Sequence, residues 1–100
     1  VGTPTLTIKG GKMEDLCLTD PWLWSLVCHE NLYQLEKWGV QDHNPFEWLA
    51  FTTEELGELS NAISEEYYRD GKPEDVVKEA IQLATLALKI AEMYKHKVEK

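Results

Sequence analysis

From Ala80 to Tyr94, eleven of fifteen residues are apolar, and at helical spacing they cover most of the circumference. A helix apolar nearly all round has to be buried on several sides. The 100-residue chain has room for one domain. It offers only two other long helical segments, too few to cover this one. The expectation is an all-α antiparallel helical bundle completed by oligomerisation, as a homodimer or homotetramer, with this helix at the subunit interface.

The other helices announce themselves through their start signals. Thr19-Asp20-Pro21 supplies an N-cap and a proline at the first helical position. Leu23, Leu26, Val27, Leu32, Leu35 and Trp38 then recur every three or four residues until Gly39, which predicts a helix over 21–38. Asn44-Pro45-Phe46-Glu47 reads as a capping box, with an acid at the third helical position. Leu49, Thr52, Leu56, Leu59, Ile63 and Tyr67 follow as one stripe, so a second helix is expected over 45–69. At 1.5 Å per residue it is about 37 Å long. Lys72-Pro73-Glu74-Asp75 opens the third, with two acids in the first turn where the helix dipole favours them, and it is expected to run to about Lys97. The short joints at 39–44 and 70–73 make neighbouring helices antiparallel.

Residues 1–15 have no helical period and contain three glycines, three threonines and a proline. They read as an extended or partly disordered arm, with a candidate strand at 6–8, ahead of a single helical domain over 16–100. Met13, followed by acids, is also a candidate natural start. The sequence shows neither internal repeats nor low complexity.

Eighteen acidic and ten basic residues leave a formal charge of −8, with no basic cluster. That argues against nucleic acid bound through its phosphates. No run of eighteen apolar residues is present, so no membrane span is expected. No charged-then-apolar stretch with a small-residue cleavage site is read in the first residues, so a secretory signal is not expected. Cys17 and Cys28 do not form a disulfide framework and read as reduced thiols of a cytoplasmic protein. With His29 they match no common zinc spacing.

The polar residues beside the apolar stripes carry any chemistry. On the second helix Glu55 and Glu58 share a strip at the edge of the core, while Glu54 falls on the far side. The third helix repeats the pattern with Asp75, Glu79 and Gln82. Two antiparallel helices that bring carboxylate strips together can hold a hard divalent cation such as Mg²⁺, which takes about six oxygens. Facing carboxylates at a core edge are costly without one. Acids at i, i+3 also occur on any solvated acidic face, so spacing alone leaves both readings open.

EELGELSNAI (54–63), followed by EAIQLATLAL (79–88), resembles the MazG-like family of all-α nucleoside triphosphate pyrophosphohydrolases. The upstream LEKWGVQDHNPFEWLA (35–50), with its KWG turn and HxP before the ExxE helix, resembles a phage and bacterial branch of that family. The resemblance covers about residues 29–92. It implies an ExxE motif at Glu55 and Glu58 and the first position of a second, ExxD motif at Glu79. It also implies Mg²⁺, or Mn²⁺, as cofactor, and a nucleoside triphosphate cleaved to monophosphate and pyrophosphate. The implied metal set is Glu55, Glu58, Glu79 and Gln82, with Glu55 and Glu58 as candidate catalytic groups. The chain departs from the family at Gln82, which stands where the motif has aspartate. An amide offers one neutral carbonyl oxygen in place of a carboxylate. Asp75, one turn before Glu79, is a candidate compensation.

For the nucleotide, Trp38 and Trp48 are stacking candidates and Lys37 a phosphate contact. Asn61, one turn beyond Glu58, is a hydrogen-bonding candidate for base or sugar. His43 lies twelve residues before Glu55, where the related dCTP pyrophosphatases carry a nucleotide-contacting histidine. Those relatives have tyrosine where this chain has Leu86, so base preference does not carry over. Three expectations result. The first is a Mg²⁺-dependent nucleotide pyrophosphohydrolase of pool housekeeping. The second is a nucleotide- or metal-binding protein that Gln82 has deprived of turnover. The third is a structural assembly partner whose acids face solvent or pair with Lys78 and Lys89.

Overall fold

The computed structural model describes residues 16–98; the arm expected over 1–15 lies outside the described residues. Four helices follow one another: α1 (Pro21–Trp38), α2 (Pro45–Arg69), α3 (Pro73–Met93) and the single-turn α4 (Lys95–Val98). Among the described residues there is no strand, and the helices pack on one another as an all-α bundle. No described helix is long and apolar enough to cross a membrane.

The caps behave as the side-chain chemistry requires. Asp20 Oδ1 accepts the Trp22 amide at 2.9 Å and starts α1. Asn44 Oδ1 accepts the Glu47 amide at 2.9 Å, and Glu47 Oε1 accepts the Asn44 amide at 3.0 Å. This closes the capping box of α2. Gly39 takes φ +70°, which a side chain would resist, and its amide donates to Leu35 O to end α1. The third helix stops earlier than its apolar pattern suggests. At Tyr94 (φ −93°, ψ 0°) the amide is shared between the carbonyls of Ile90 and Ala91, so the winding tightens and α4 restarts separately.

Helix α3 is central. Both α1 and α2 pack on it, and they do not pack on each other. The face that each presents differs from the stripe read in the sequence. On α1 the covered line runs through Leu23, Leu26, Val27, Glu30 and Gln34, while Leu32, Leu35 and Trp38 are exposed. On α2 the covered line includes Trp48, Thr52, Glu55, Leu59 and Ala62. Leu49, Leu56 and Ile63 are 53%, 53% and 47% exposed. Apolar residues occupy two faces of each helix, and one chain has a partner for only one of them. For the same reason α3 is not enclosed on all sides: only Thr85 and Leu86 are buried.

The turn between α2 and α3 is sterically tight. Asp70 is left-handed (φ +58°), and the Gly71 amide donates to Glu65 O at 2.9 Å. A Cβ on Gly71 would stand 2.8 Å from the Glu65 carbonyl carbon and 2.9 Å from the Glu66 nitrogen, both backbone. A methyl at Gly57, within α2, would meet nothing within 4 Å. Gly71→Ala is therefore expected to cost about 1–3 kcal/mol through the forced backbone shift. Gly57→Ala is expected to gain up to about 1 kcal/mol by restricting the unfolded chain. Urea unfolding of the two variants checks the opposite signs.

Candidate metal centre

The packed faces of α2 and α3 carry three carboxylates to one place. Glu55, Glu58 and Glu79 each offer an oxygen, and these oxygens lie within 4.8 Å of one another. The geometry follows from spacing. Glu55 and Glu58 are one turn apart on α2, and Glu79 faces them from antiparallel α3. Among the described residues no lysine or arginine forms an ion pair with any of the three. Lys89 is engaged elsewhere: its Nζ donates to Gln34 Oε1 at 2.6 Å.

Burial, reinforced by neighbouring negative charge, raises the proton affinity of Glu55 and Glu79. Desolvation pushes the Glu55 carboxyl from 4.5 up to about 7, with further contributions from the charges of Glu58 and Glu79. Glu79 is also raised, first by desolvation and then by Glu58. Gln82 completes the cluster. Its amide lies against two carboxylate oxygens, and an amide oxygen there would meet only acceptors. With the nitrogen turned inward, it donates to Glu55 Oε2 at 3.1 Å and to Glu79 Oε2 at 2.8 Å. Asp75, the candidate compensating acid, is not one of the converging group.

A cavity of about 440 Å³ opens beside the cluster, between α1 and α2, with α3 as its floor. Glu55 and Gln82 line its polar end. Tyr33, Trp38, Trp48 and Phe51 supply aromatic surface, and Lys37 stands at the wall with its Nζ 4.7 Å from the Trp38 ring. Trp48 is only 6% exposed, so it is a fixed wall. Its indole packs edge-on against Phe51, and the Lys89 ammonium stands 5.7 Å from its ring. Burial pushes that ammonium below its usual range.

Of the residues singled out in the sequence, Glu55, Glu58, Glu79 and Gln82 come together, and Lys37, Trp38 and Trp48 share the adjoining cavity. His43 and Asn61 do not line it. His43 sits behind the wall, its ring 5.2 Å from Trp48 and 5.1 Å from Phe51, with Nε2 buried and unbonded. Asn61 is exposed farther along α2. Glu54, read as facing away, lines the cavity mouth. Gln34 is not among the residues the sequence points to, yet it is 6% exposed and lines the cavity. The signal for it is a polar residue in register with Leu23, Val27 and Glu30 at spacings of four, three and four. Cys17 and Cys28 are exposed and belong to no metal-binding group among the described residues.

Comparison with protein-family models, curated proteins and solved structures finds no match for this chain.

The raised Glu55 carboxyl has a thermodynamic consequence. Between about pH 4.5 and 7 the folded state holds a proton that the unfolded state has lost. The associated stability is full below 4.5 and is lost as pH rises through about 7. In EDTA, the melting temperature is expected to fall from pH 5 to pH 8. The Glu55→Gln variant is expected to show a shallower fall. Equal slopes in parent and variant would remove Glu55 as the source.

Proposed function

We propose that this chain is a MazG-like nucleoside triphosphate pyrophosphohydrolase dependent on Mg²⁺ or Mn²⁺. The observation that carries the reading is the convergence of Glu55, Glu58 and Glu79 beside an aromatic-walled cavity. The donor set fits a hard divalent cation. It is all oxygen and crowded with like charge, and among the described residues no lysine or arginine forms an ion pair with it. Glu55, Glu58 and Glu79 would hold the ion. Bound there, it would neutralise charge on the phosphates and lower the pKa of a coordinated water.

The chain's own groups account for the remaining requirements. The 440 Å³ cavity is of a size to take a nucleoside. Trp38 offers a flat surface for a base, Trp48 backs it as a fixed wall, and Lys37 offers an ammonium for a phosphate oxygen. Glu55 lines the same cavity as these residues, so a metal held by the cluster would lie within reach of a triphosphate seated there. Water attacks the α-phosphorus, and the bond to the β-phosphate bridging oxygen breaks. A carboxylate of Glu55 or Glu58 takes the water's proton, and pyrophosphate leaves with the electron pair. The role is nucleotide-pool housekeeping in the cytoplasm. A second reading, nucleotide or metal binding without turnover, is favoured by one feature: an amide at Gln82 gives the site three carboxylates where the family has four.

A panel of ribo- and deoxyribonucleoside triphosphates with Mg²⁺ or Mn²⁺ tests both. Monophosphate and pyrophosphate are expected from the parent, with at least a hundredfold loss in Glu58→Gln and no loss of helicity. Equal rates in the two proteins would sink the assignment. Silence with thermal stabilisation by Mn²⁺ or nucleotide would select the binding reading.

The functional unit we propose is a homodimer or homotetramer. Leu49, Leu56 and Ile63 are exposed at seven-residue intervals along α2, the spacing of a helix–helix seam. Sedimentation equilibrium is expected to give an oligomer for the parent. Leu56→Glu, which puts a charge in the seam, is expected to shift it toward monomer; an unchanged mass would place the interface elsewhere.

A further inference from the structure

The amide of Gln82 does something that an aspartate at the same position does not do. An aspartate would add a fourth negative charge. Gln82 instead, with its nitrogen turned toward the cluster so that both groups are satisfied, donates to oxygens on two different helices, 3.1 Å to Glu55 on α2 and 2.8 Å to Glu79 on α3. Both amide hydrogens are then used, each on a carboxylate. The side chain is half-buried and lines the cavity beside Glu55.

We infer that Gln82 is a positioning residue that stands in for a cation. In the metal-free protein its NH₂ group bridges Glu55 and Glu79 and holds two mutually repelling carboxylates across the α2–α3 interface. The inference rests on the proposed metal centre, because a divalent cation would compete for those same two carboxylates. Entry of the ion is an exchange: the Glu55 and Glu79 oxygens give up amide hydrogens as they take up the metal. Gln82 thus stabilises the empty site and weakens the filled one. A metal ligand would do the reverse, and a residue important only for packing would affect both states equally.

Three measurements separate these roles: melting temperature in EDTA at pH 8, melting temperature in saturating Mn²⁺, and Mn²⁺ affinity from the free-ion EPR signal. Gln82→Met keeps the length of the side chain and removes the donors. Its metal-free melting temperature is expected to drop by about 4–8 °C. The gap between metal-free and loaded forms should widen, and Mn²⁺ should bind up to about tenfold more tightly. Gln82→Lys replaces the amide by a true cation, and its metal-free melting temperature is expected to match or exceed the parent's. This variant decides the matter if Gln82→Met does not fold.

Weaker Mn²⁺ binding in Gln82→Met would make Gln82 a ligand and overturn the inference. Equal melting shifts with and without Mn²⁺, at unchanged affinity, would also overturn it, as would a destabilised metal-free Gln82→Lys protein. A parent that binds no Mn²⁺ would overturn the metal centre itself, a result distinct from either.

Discussion

Carboxylates packed between two helices are the constraint around which this structure is arranged. Glu55 and Glu79 lie on the faces by which α2 and α3 adhere, and Glu58 adds a third charge one turn away. Hydrophobic contact alone does not justify that placement, since burying like charges opposes the packing that buries them. The fold tolerates it through local compensation: a Glu55 carboxyl pushed up to about 7, which takes a proton readily, and amide hydrogens from Gln82. Helix α3 bears the consequence, since α1 also docks on it and the cavity lies across it.

The backbone plan was legible because its signals are local. Asp20, the Asn44–Glu47 box, Gly39 and the prolines at 21, 45 and 73 define helix ends through contacts within a few residues. The ExxE spacing likewise placed Glu55 and Glu58 on adjacent turns of one helix, and Glu79 and Gln82 joined them as expected. Which face each helix turns inward was less legible. Leu32, Leu35 and Trp38 on α1 and Leu49, Leu56 and Ile63 on α2 satisfy helical periodicity as well as the residues that are covered. Periodicity identifies an apolar face; it does not say whether that face meets its own chain or another. The inward turn of Glu55 depends on that choice.

His43 and Gln34 show the same limit at the level of single side chains. His43 lies near the site in sequence, but its ring is taken up by Trp48 and Phe51. Gln34 is 55 residues from Lys89, yet the two are joined by a 2.6 Å hydrogen bond. No local pattern encodes a bond of that separation. It also fixes the orientation of the Gln34 amide, whose Nε2 donates to Glu30 at 2.7 Å while Oε1 receives Lys89.

The cavity has one further property, which is mechanical. Its two sides belong to α1 and α2, which pack on α3 and not on each other and are tied at one end by the 39–44 joint, whose Gln41 lines the cavity. Its width is therefore set by two docking angles on α3 and by that one short connection. The α1 wall is pinned by the Lys89–Gln34–Glu30 chain and the α2 wall by Trp48 and the carboxylate cluster. Such a frame resembles a pair of jaws on a common spine, with Lys89 of the spine touching both, Gln34 on one side and the Trp48 ring on the other.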